Sequence, residues 1–148
     1  MTDFMTVAQR SRAMSRVRSR DTEAELRLRS HLHGIGFRFR TNVRRLPGSP
    51  DIVLTRYKAA IFVHGCFWHG HPGCTKDRLP STNTEFWQKK IAATKRRDEA
   101  KLAALQAAGW RSAVVWECVV NALEKSEQTA QQLAHWLRGD SPTAEIGR

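Results

Sequence analysis

The spacing of apolar positions predicts that the folded part of the chain begins with a helix. It is expected to start at Asp21 or Thr22, because both side chains cap the amino termini of helices. Its end is expected near His33, since Gly34 and Gly36 follow as stop signals.

Three short segments after this helix have the pattern of strands. Residues 37–41 alternate apolar and basic side chains, as a half-buried strand does. Residues 51–55 and 59–64 flank a polar turn, so they predict two antiparallel strands, of which the second is almost entirely apolar and therefore central. Such a hairpin brings Asp51, at the start of one strand, close to His64, at the end of the other.

A long helix is predicted between Thr82, which begins a capping box ending at Glu85, and the stop signal Gly109. One stripe of this helix has the spacing of a core face: Trp87, Ile91, Thr94, Asp98, Leu102 and Leu105. A charge on that face is costly unless it is paired or functional. We therefore expect Asp98 to be either an ion-pair partner of an arginine or a functional carboxylate.

The remaining pattern predicts one more strand and one more helix. Residues 110–120 are expected to form a buried strand that carries Cys118, and residues 121–137 a final helix. The apolar positions of this helix, expected to pack on the sheet, are Leu123, Leu133 and Trp136.

The chain divides into three regions: a basic amino-terminal arm over residues 1–20, a single domain over residues 21–140, and a tail over residues 141–148 that is expected to be disordered. The arm has a helical row suited to DNA phosphates: Arg12, Arg16 and Arg20, with Met14 among them. Without DNA the arm is expected to be solvated and partly frayed.

The charge of the chain predicts a polyanionic partner. Its 148 residues carry a formal charge of +11, and 41% of them are hydrophobic, which is enough for one core. No apolar run is long enough to span a bilayer. Nucleic acid is favoured over an acidic membrane, because the apolar faces belong to ordinary core helices.

The run from His64 to Cys74 concentrates the candidate chemistry, with three of the six histidines and two of the three cysteines. An odd number of cysteines and the absence of a signal peptide favour a reducing, cytoplasmic compartment. We predict a structural zinc site with four protein ligands: Cys66, His71, Cys74 and Cys118. Spacing does not separate His69 from His71 as the ligand, and the alternative is three buried cysteines that act as small hydrophobes.

Two further features have both a structural and a functional interpretation. Glu25 completes a capping box with Thr22, yet it also lies on the apolar stripe of the first helix. Phe67 and Trp68 are adjacent in a loop that cannot easily bury both, which favours a role in recognition over core packing.

The order of elements, with Pro50-Asp51 at a strand start, resembles the restriction-endonuclease-like nucleases. Their usual acid-x-lysine on the next strand is here Phe62-Val63-His64. One branch with this departure is similar over nearly the whole chain: the very short patch repair (Vsr) endonucleases. The segments that carry the resemblance are Arg20-Asp21-Thr22, Leu46-Pro47-Gly48-Ser49-Pro50-Asp51, Ile61-Phe62-Val63-His64-Gly65-Cys66-Phe67-Trp68-His69, Thr84-Glu85-Phe86-Trp87, Arg97-Asp98, Gly109-Trp110-Arg111 and Val115-Trp116-Glu117-Cys118.

This resemblance implies a three-layer α/β fold, with a central mixed sheet flanked by helices and a structural zinc site. It implies an enzyme that recognises a T:G mismatch, left when 5-methylcytosine deaminates, and nicks the strand 5′ to the thymine. The partner would be double-stranded DNA, with contact to other mismatch-repair proteins, and the protein is expected to be a monomer.

The resemblance also implies the roles of site residues. Asp51 and the backbone carbonyl of Val63 would bind magnesium, and His64 and His69 would be the catalytic histidines. Glu25 and Asp98 would support the hydrated metal and His69.

The requirements of phosphodiester hydrolysis agree with these roles. Asp51 is a hard oxygen ligand for magnesium, and His69, held by Asp98, is suited to be the general base. His64 would donate a hydrogen bond to the phosphate or leaving group. The predicted DNA wedge consists of Phe67, Trp68 and Trp87.

The sequence also bears on two other functions. A zinc-dependent base deaminase would need His-x-Glu and Pro-Cys-x-x-Cys motifs, and neither is present. A non-catalytic, zinc-stabilised DNA-binding module would explain the charge and the cysteines, but it leaves Asp98 and the pairing of Asp51 with His64 without a purpose.

Overall fold

The computed structural model describes residues 21–74 and 79–147. The predicted arm, with Arg12, Met14, Arg16 and Arg20, lies outside the described residues. Within them, eight helices and strands follow one another along the chain: α1 (Glu23–Gly34), β1 (Arg40–Thr41), β2 (Ile52–Leu54), β3 (Ala59–His64), α2 (Thr84–Ala107), β4 (Arg111–Trp116), α3 (Leu123–Arg138) and β5 (Thr143–Ile146).

The five strands form one mixed sheet in the order β1-β2-β3-β4-β5. The first three are antiparallel neighbours, whereas β3 pairs with β4, and β4 with β5, in parallel. The predicted hairpin and the central position of its apolar strand are therefore confirmed. In the parallel register His64 is opposite Trp116, so both residues lie at the same end of the sheet.

Helices cover both faces of this sheet, which confirms the three-layer architecture. The larger core lies between one face and the pair α1 and α3, with Leu28, Leu32 and Leu133 fully buried. On the other face Leu105 of α2 packs against Ala60 and Phe62 of β3. Alternate residues of β3 thus enter opposite layers, as the two-residue period of a strand requires. No described helix has the length and apolar character needed to cross a membrane.

Two predicted boundaries are wrong for local reasons. Thr82 does not cap the long helix. The helix begins at Thr84 after Asn83, whose φ is 56° and whose side chain makes no capping hydrogen bond. The Thr84 hydroxyl instead donates to the carbonyl of Pro80 at 2.9 Å. The predicted strand over residues 110–120 ends at Trp116, so Cys118 lies in a 3₁₀ turn.

The segment after α3 is also not the disordered tail that its composition predicted. Residues Thr143–Ile146 form β5, which pairs along the free edge of β4. Because residues 112–116 of β4 are all buried, an unpaired edge there would leave buried backbone groups without partners. The prediction for Leu123 is wrong as well, since this side chain is 72% exposed, whereas Leu133 and Trp136 are buried as expected.

Candidate active site

Asp51 directly precedes β2 and faces the end of β3. Its Oδ2 accepts a hydrogen bond from the backbone N–H of Val63 at 2.7 Å. Burial, and then the negative charge of Glu25, raise the pKa of Asp51 from 3.8 to about 7. A carboxylate in this position needs a cation beside it to remain ionised at lower pH.

Glu25 combines the two roles that the sequence left open. Its backbone N–H donates to the Thr22 hydroxyl at 3.3 Å, and its own Oε2 accepts from the backbone N–H of Asp21 at 2.9 Å. The side chain is only 3% exposed and forms an ion pair with Arg29 at 3.2 Å. Burial raises the pKa of Glu25, although the Asp21 hydrogen bond and Arg29 oppose this effect. The capping residue is therefore also an inward carboxylate.

The His64 and His69 rings stack on each other, with centroids 3.9 Å apart and planes 4° from parallel. Burial, and then the charge of His69, lower the pKa of His64 to about 3, so His64 is neutral at physiological pH. A metal lies in the plane of an imidazole that binds it, and parallel rings share no such position. One potential ligand atom each from His64, His69 and Asp98 lies within 4.8 Å of the other two. The stacked rings nevertheless do not suit one shared ion.

His69 is held by Asp98 of α2, with 2.6 Å between Nδ1 and Oδ2. Burial raises the pKa of Asp98, but the hydrogen bond and charge of His69 outweigh it, so the pKa lies below its usual value. The prediction that Asp98 turns inward is confirmed. Among the described residues its ion-pair partner is His69 and not an arginine.

These side chains line a cavity of about 320 Å³, large enough for a phosphate group and several waters. Asp51, Val63, His64, His69 and Asp98 all contribute to it, so the structure brings these predicted residues together. Four polar residues of the lining were missed by sequence reasoning: Asn42, Arg44, Ser49 and Lys101. Only Lys101 has a sequence signal, because it lies three residues after Asp98 on the same helix.

A second polar cluster is formed by the predicted zinc ligands. One ligand atom each from four side chains lies within 4.8 Å of the others: Cys66, His71, Cys74 and Cys118. Two backbone hydrogen bonds fold residues 66–74 tightly. The N–H of His71 donates to the carbonyl of Cys66 at 2.8 Å, and the N–H of Cys74 donates to the carbonyl of His71 at 3.3 Å. His71, and not His69, belongs to this cluster.

The chemistry of this cluster suits a soft metal ion. His71 is 3% exposed, and its Nε2 has no hydrogen-bond partner among the described residues. Burial, together with the neighbouring Cys118 thiol, raises the pKa of Cys66 to about 12, so the thiol stays protonated in the absence of a cation. Three thiols and one imidazole are the donor set of a closed tetrahedral zinc site.

Trp116 separates the two polar clusters and contacts both. Its ring stacks on His71, with centroids 4.3 Å apart and planes at 12°, and meets His64 edge-on at 5.4 Å. The indole Nε1–H donates to Oε2 of Glu145 on β5 at 3.0 Å. The position of this indole therefore depends on the strand that the sequence did not predict.

An aromatic cluster flanks the same loop. Phe67, Trp68 and Trp87 have ring centroids 5.4 to 6.0 Å apart. Trp87 is only 6% exposed and forms the buried base of the cluster, whereas Phe67 and Trp68 are partly exposed. Phe86, which was not predicted to be functional, is 54% exposed and packs on Trp87 at 5.1 Å.

The raised pKa of Asp51 predicts how a substitution alters stability. Between pH 4 and 7 the folded state binds the Asp51 proton more tightly than the unfolded state, so the metal-free protein loses stability as pH rises. Asp51→Asn removes this pH-dependent loss of stability, and its side-chain carbonyl still accepts the hydrogen bond from the Val63 N–H. In magnesium-free buffer the melting temperature of Asp51→Asn should exceed that of the wild type, by a margin that grows up to about pH 7 and then levels off.

The matched control is Asp140→Asn, which alters an exposed carboxylate. Its melting temperature should follow the wild type at every pH. A margin for Asp51→Asn that is constant or shrinks with rising pH would contradict the burial of this charge.

Comparison with known proteins identifies the family of the chain. The model of the family described as DNA mismatch endonuclease Vsr matches residues 2–76. The DNA mismatch endonuclease Vsr of Escherichia coli is 42% identical over 148 residues, which cover 99% of this chain and 94% of the relative. The type II nicking enzyme V.XorIIP of Xanthomonas oryzae is 49% identical over 123 residues, 83% of this chain and 90% of the relative. The chain belongs to the Vsr family of DNA mismatch endonucleases.

Proposed function

We propose that this protein is a DNA endonuclease that recognises T:G mismatches and nicks the strand 5′ to the mismatched thymine. The observation that carries the proposal is a cavity in which Asp51 meets a stacked pair of histidines, one of them held by Asp98. Relatives named as a mismatch endonuclease and as nicking enzymes support the same class of reaction. Because these relatives are bacterial, we expect the enzyme to act on cytoplasmic DNA.

Asp51 and the carbonyl of Val63 are the proposed ligands of magnesium. The ion, when bound, would neutralise charge on the phosphate and make a water more acidic. Asp51 fits this role, because it is a buried hard-oxygen donor beside the second carboxylate of Glu25. Glu25 has Arg29 and the Asp21 N–H as partners, so we assign it to water around the metal and not to direct binding.

His69 is the proposed general base. Its Nδ1 is held by Asp98, which fixes the ring and leaves Nε2 to take a proton from the attacking water. His64 remains neutral and donates a hydrogen bond to the phosphate or leaving group. Stacking suits this division of roles, because two adjacent cationic imidazoles would repel each other.

Phe67 and Trp68 are the proposed wedge beside the mismatch, with Trp87 as their buried support. A mismatched pair costs less to unstack than a matched one, so aromatic insertion favours the damaged duplex. The basic arm, with Arg12, Met14, Arg16 and Arg20, would bind the DNA backbone. We expect a monomer to suffice, with other mismatch-repair proteins as transient partners.

A non-catalytic DNA-binding module is the alternative function. It would need the aromatic cluster and the positive charge, but not a buried Asp51 or a histidine held by a carboxylate. Keeping such groups buried costs free energy that binding alone would not require. The alternative predicts a protein that binds a T:G duplex and never cuts it.

Nicking of defined duplexes tests the function directly. With magnesium, a duplex containing one T:G pair should be cut on the thymine strand, whereas a matched T:A duplex should stay intact. His69→Ala should lower the single-turnover rate by about 10²–10⁴, the usual contribution of a general base. Product mapping on a sequencing gel and quenched-flow rates are the measurements.

The matched control is His135→Ala, an exposed histidine of α3, which should cut at the wild-type rate. Magnesium is omitted rather than chelated in the metal control, so that the cysteine cluster is not disturbed. Equal cutting of T:G and T:A duplexes would exclude mismatch recognition, and a wild-type rate for His69→Ala would exclude this base.

Replacing the wedge should weaken discrimination more than affinity. Phe67→Ala combined with Trp68→Ala should bring the dissociation constants for T:G and T:A duplexes closer together, while binding to T:A changes little, because phosphate contacts supply most of the affinity. Fluorescence anisotropy with both duplexes measures this. Leu123→Ala removes an exposed apolar side chain elsewhere and should alter neither constant. An equal loss of affinity for the T:G and T:A duplexes would refute the wedge.

We also propose that the cysteine cluster binds structural zinc. Cys118→Ser removes one ligand, so the purified protein should hold less than one zinc, measured by atomic emission. Because a closed zinc site contributes folding free energy, the melting temperature should fall by about 10 °C. Chelation should lower the melting temperature of the wild type and leave that of the variant unchanged. Full zinc content in the variant would refute the assignment.

A further inference from the structure

Lys101 lines the active-site cavity but has no role in the reaction as described so far. It lies on α2, three residues after Asp98, so both side chains project from the same face of the helix. His64 and Asp98 line the same cavity as Lys101, so the three side chains face one space.

The aliphatic stem of Lys101 is packed against the turn that precedes Asp51. A Cβ atom added at Gly48 would lie 2.9 Å from both Cβ and Cδ of Lys101. Gly48 also has a φ of 79°, which favours glycine. This contact restricts the stem, so less side-chain entropy is lost when the ammonium group binds a ligand.

Among the described residues no carboxylate lies within ion-pair distance of the Lys101 ammonium group or of Arg44, the second cation of the cavity lining. Asp98, the acid about one turn before Lys101 on the same helix, is engaged by His69 instead. Two cations without an ion-pair partner among the described residues, in a cavity with room for a phosphate group, favour an anionic ligand.

We propose that Lys101 binds a non-bridging oxygen of the phosphate at which the strand is cut. This inference rests on the proposed function for the identity of the anion. A lysine ammonium is a compact charge with three donors, so it stabilises the negative charge that grows on the phosphate during attack. Arg44, which is exposed at the same cavity, binds the neighbouring part of the DNA backbone.

Lys101→Met tests this contact, because methionine keeps an unbranched stem against Gly48 and removes the charge. In single-turnover nicking of a T:G duplex with magnesium, the rate should fall by about 10²-fold, as for loss of one preorganised donor to a developing oxyanion. Lys101→Arg should recover part of the rate. Lys125→Met, an exposed lysine on α3, is the matched control and should cut normally.

Binding provides a second measurement that needs no cutting. Without divalent ions, log affinity falls as log salt concentration rises. The slope should become less negative by about 0.9 for Lys101→Met, since one phosphate contact is lost, and stay unchanged for Lys125→Met. If the wild type does not nick T:G duplexes but Lys101→Met shows the less negative slope, the proposed function fails and the phosphate contact stands. An unchanged slope, or unchanged nicking by an active enzyme, overturns the role of Lys101.

Discussion

The partial burial of Asp51 without a direct counter-ion among the described residues is the constraint on which the rest of the active site depends. The carboxylate accepts a backbone N–H from Val63 and lies beside Glu25, yet the nearby Arg29 is paired with Glu25 and Asp21. No described cation neutralises it by direct contact. The fold therefore places a carboxyl group without a described counter-ion at the end of the central hairpin, where its pKa is raised to about 7.

The molecule keeps its soft and hard donors apart over a very short stretch of chain. His69 and His71 are separated only by Gly70, whose φ of 62° turns the chain so that one imidazole meets Asp98 and the other meets the thiols. A side chain at Gly70 would also collide with Lys95 and Ile91 of α2. The turn at this glycine thus directs two neighbouring imidazoles into two different clusters.

The sequence predicted the parts of the fold that repeat a strong pattern. The apolar strand 59–64 and the stripe through Asp98 follow from periodicity, and both were placed correctly. Spacing could not separate His69 from His71, because the choice depends on how Gly70 turns the chain. Composition alone made residues 143–146 look disordered, since their pairing depends on an edge of β4 that lies far away in sequence.

The cationic part of the cavity was missed for a related reason. Arg44 and Lys101 belong to a turn and a helix that are far apart in sequence, and the fold brings both to one cavity, where Lys101 packs on Gly48. In a chain with 25 lysines and arginines, the position of Lys101 three residues after Asp98 is too weak a signal to single it out. Three-dimensional proximity to Asp51 and His64 is what distinguishes these two.

The hydrogen bond from Trp116 to Glu145 alters which positions of this protein tolerate variation. Glu145 is exposed on an edge strand, where most substitutions would be expected to be neutral. Its carboxylate nevertheless holds an indole that stacks on His71 and meets His64 edge-on. A change at this surface position removes the hydrogen bond that orients the common wall of the thiol cluster and the histidine pair, so the contacts that shape the active site extend to the rim of the sheet.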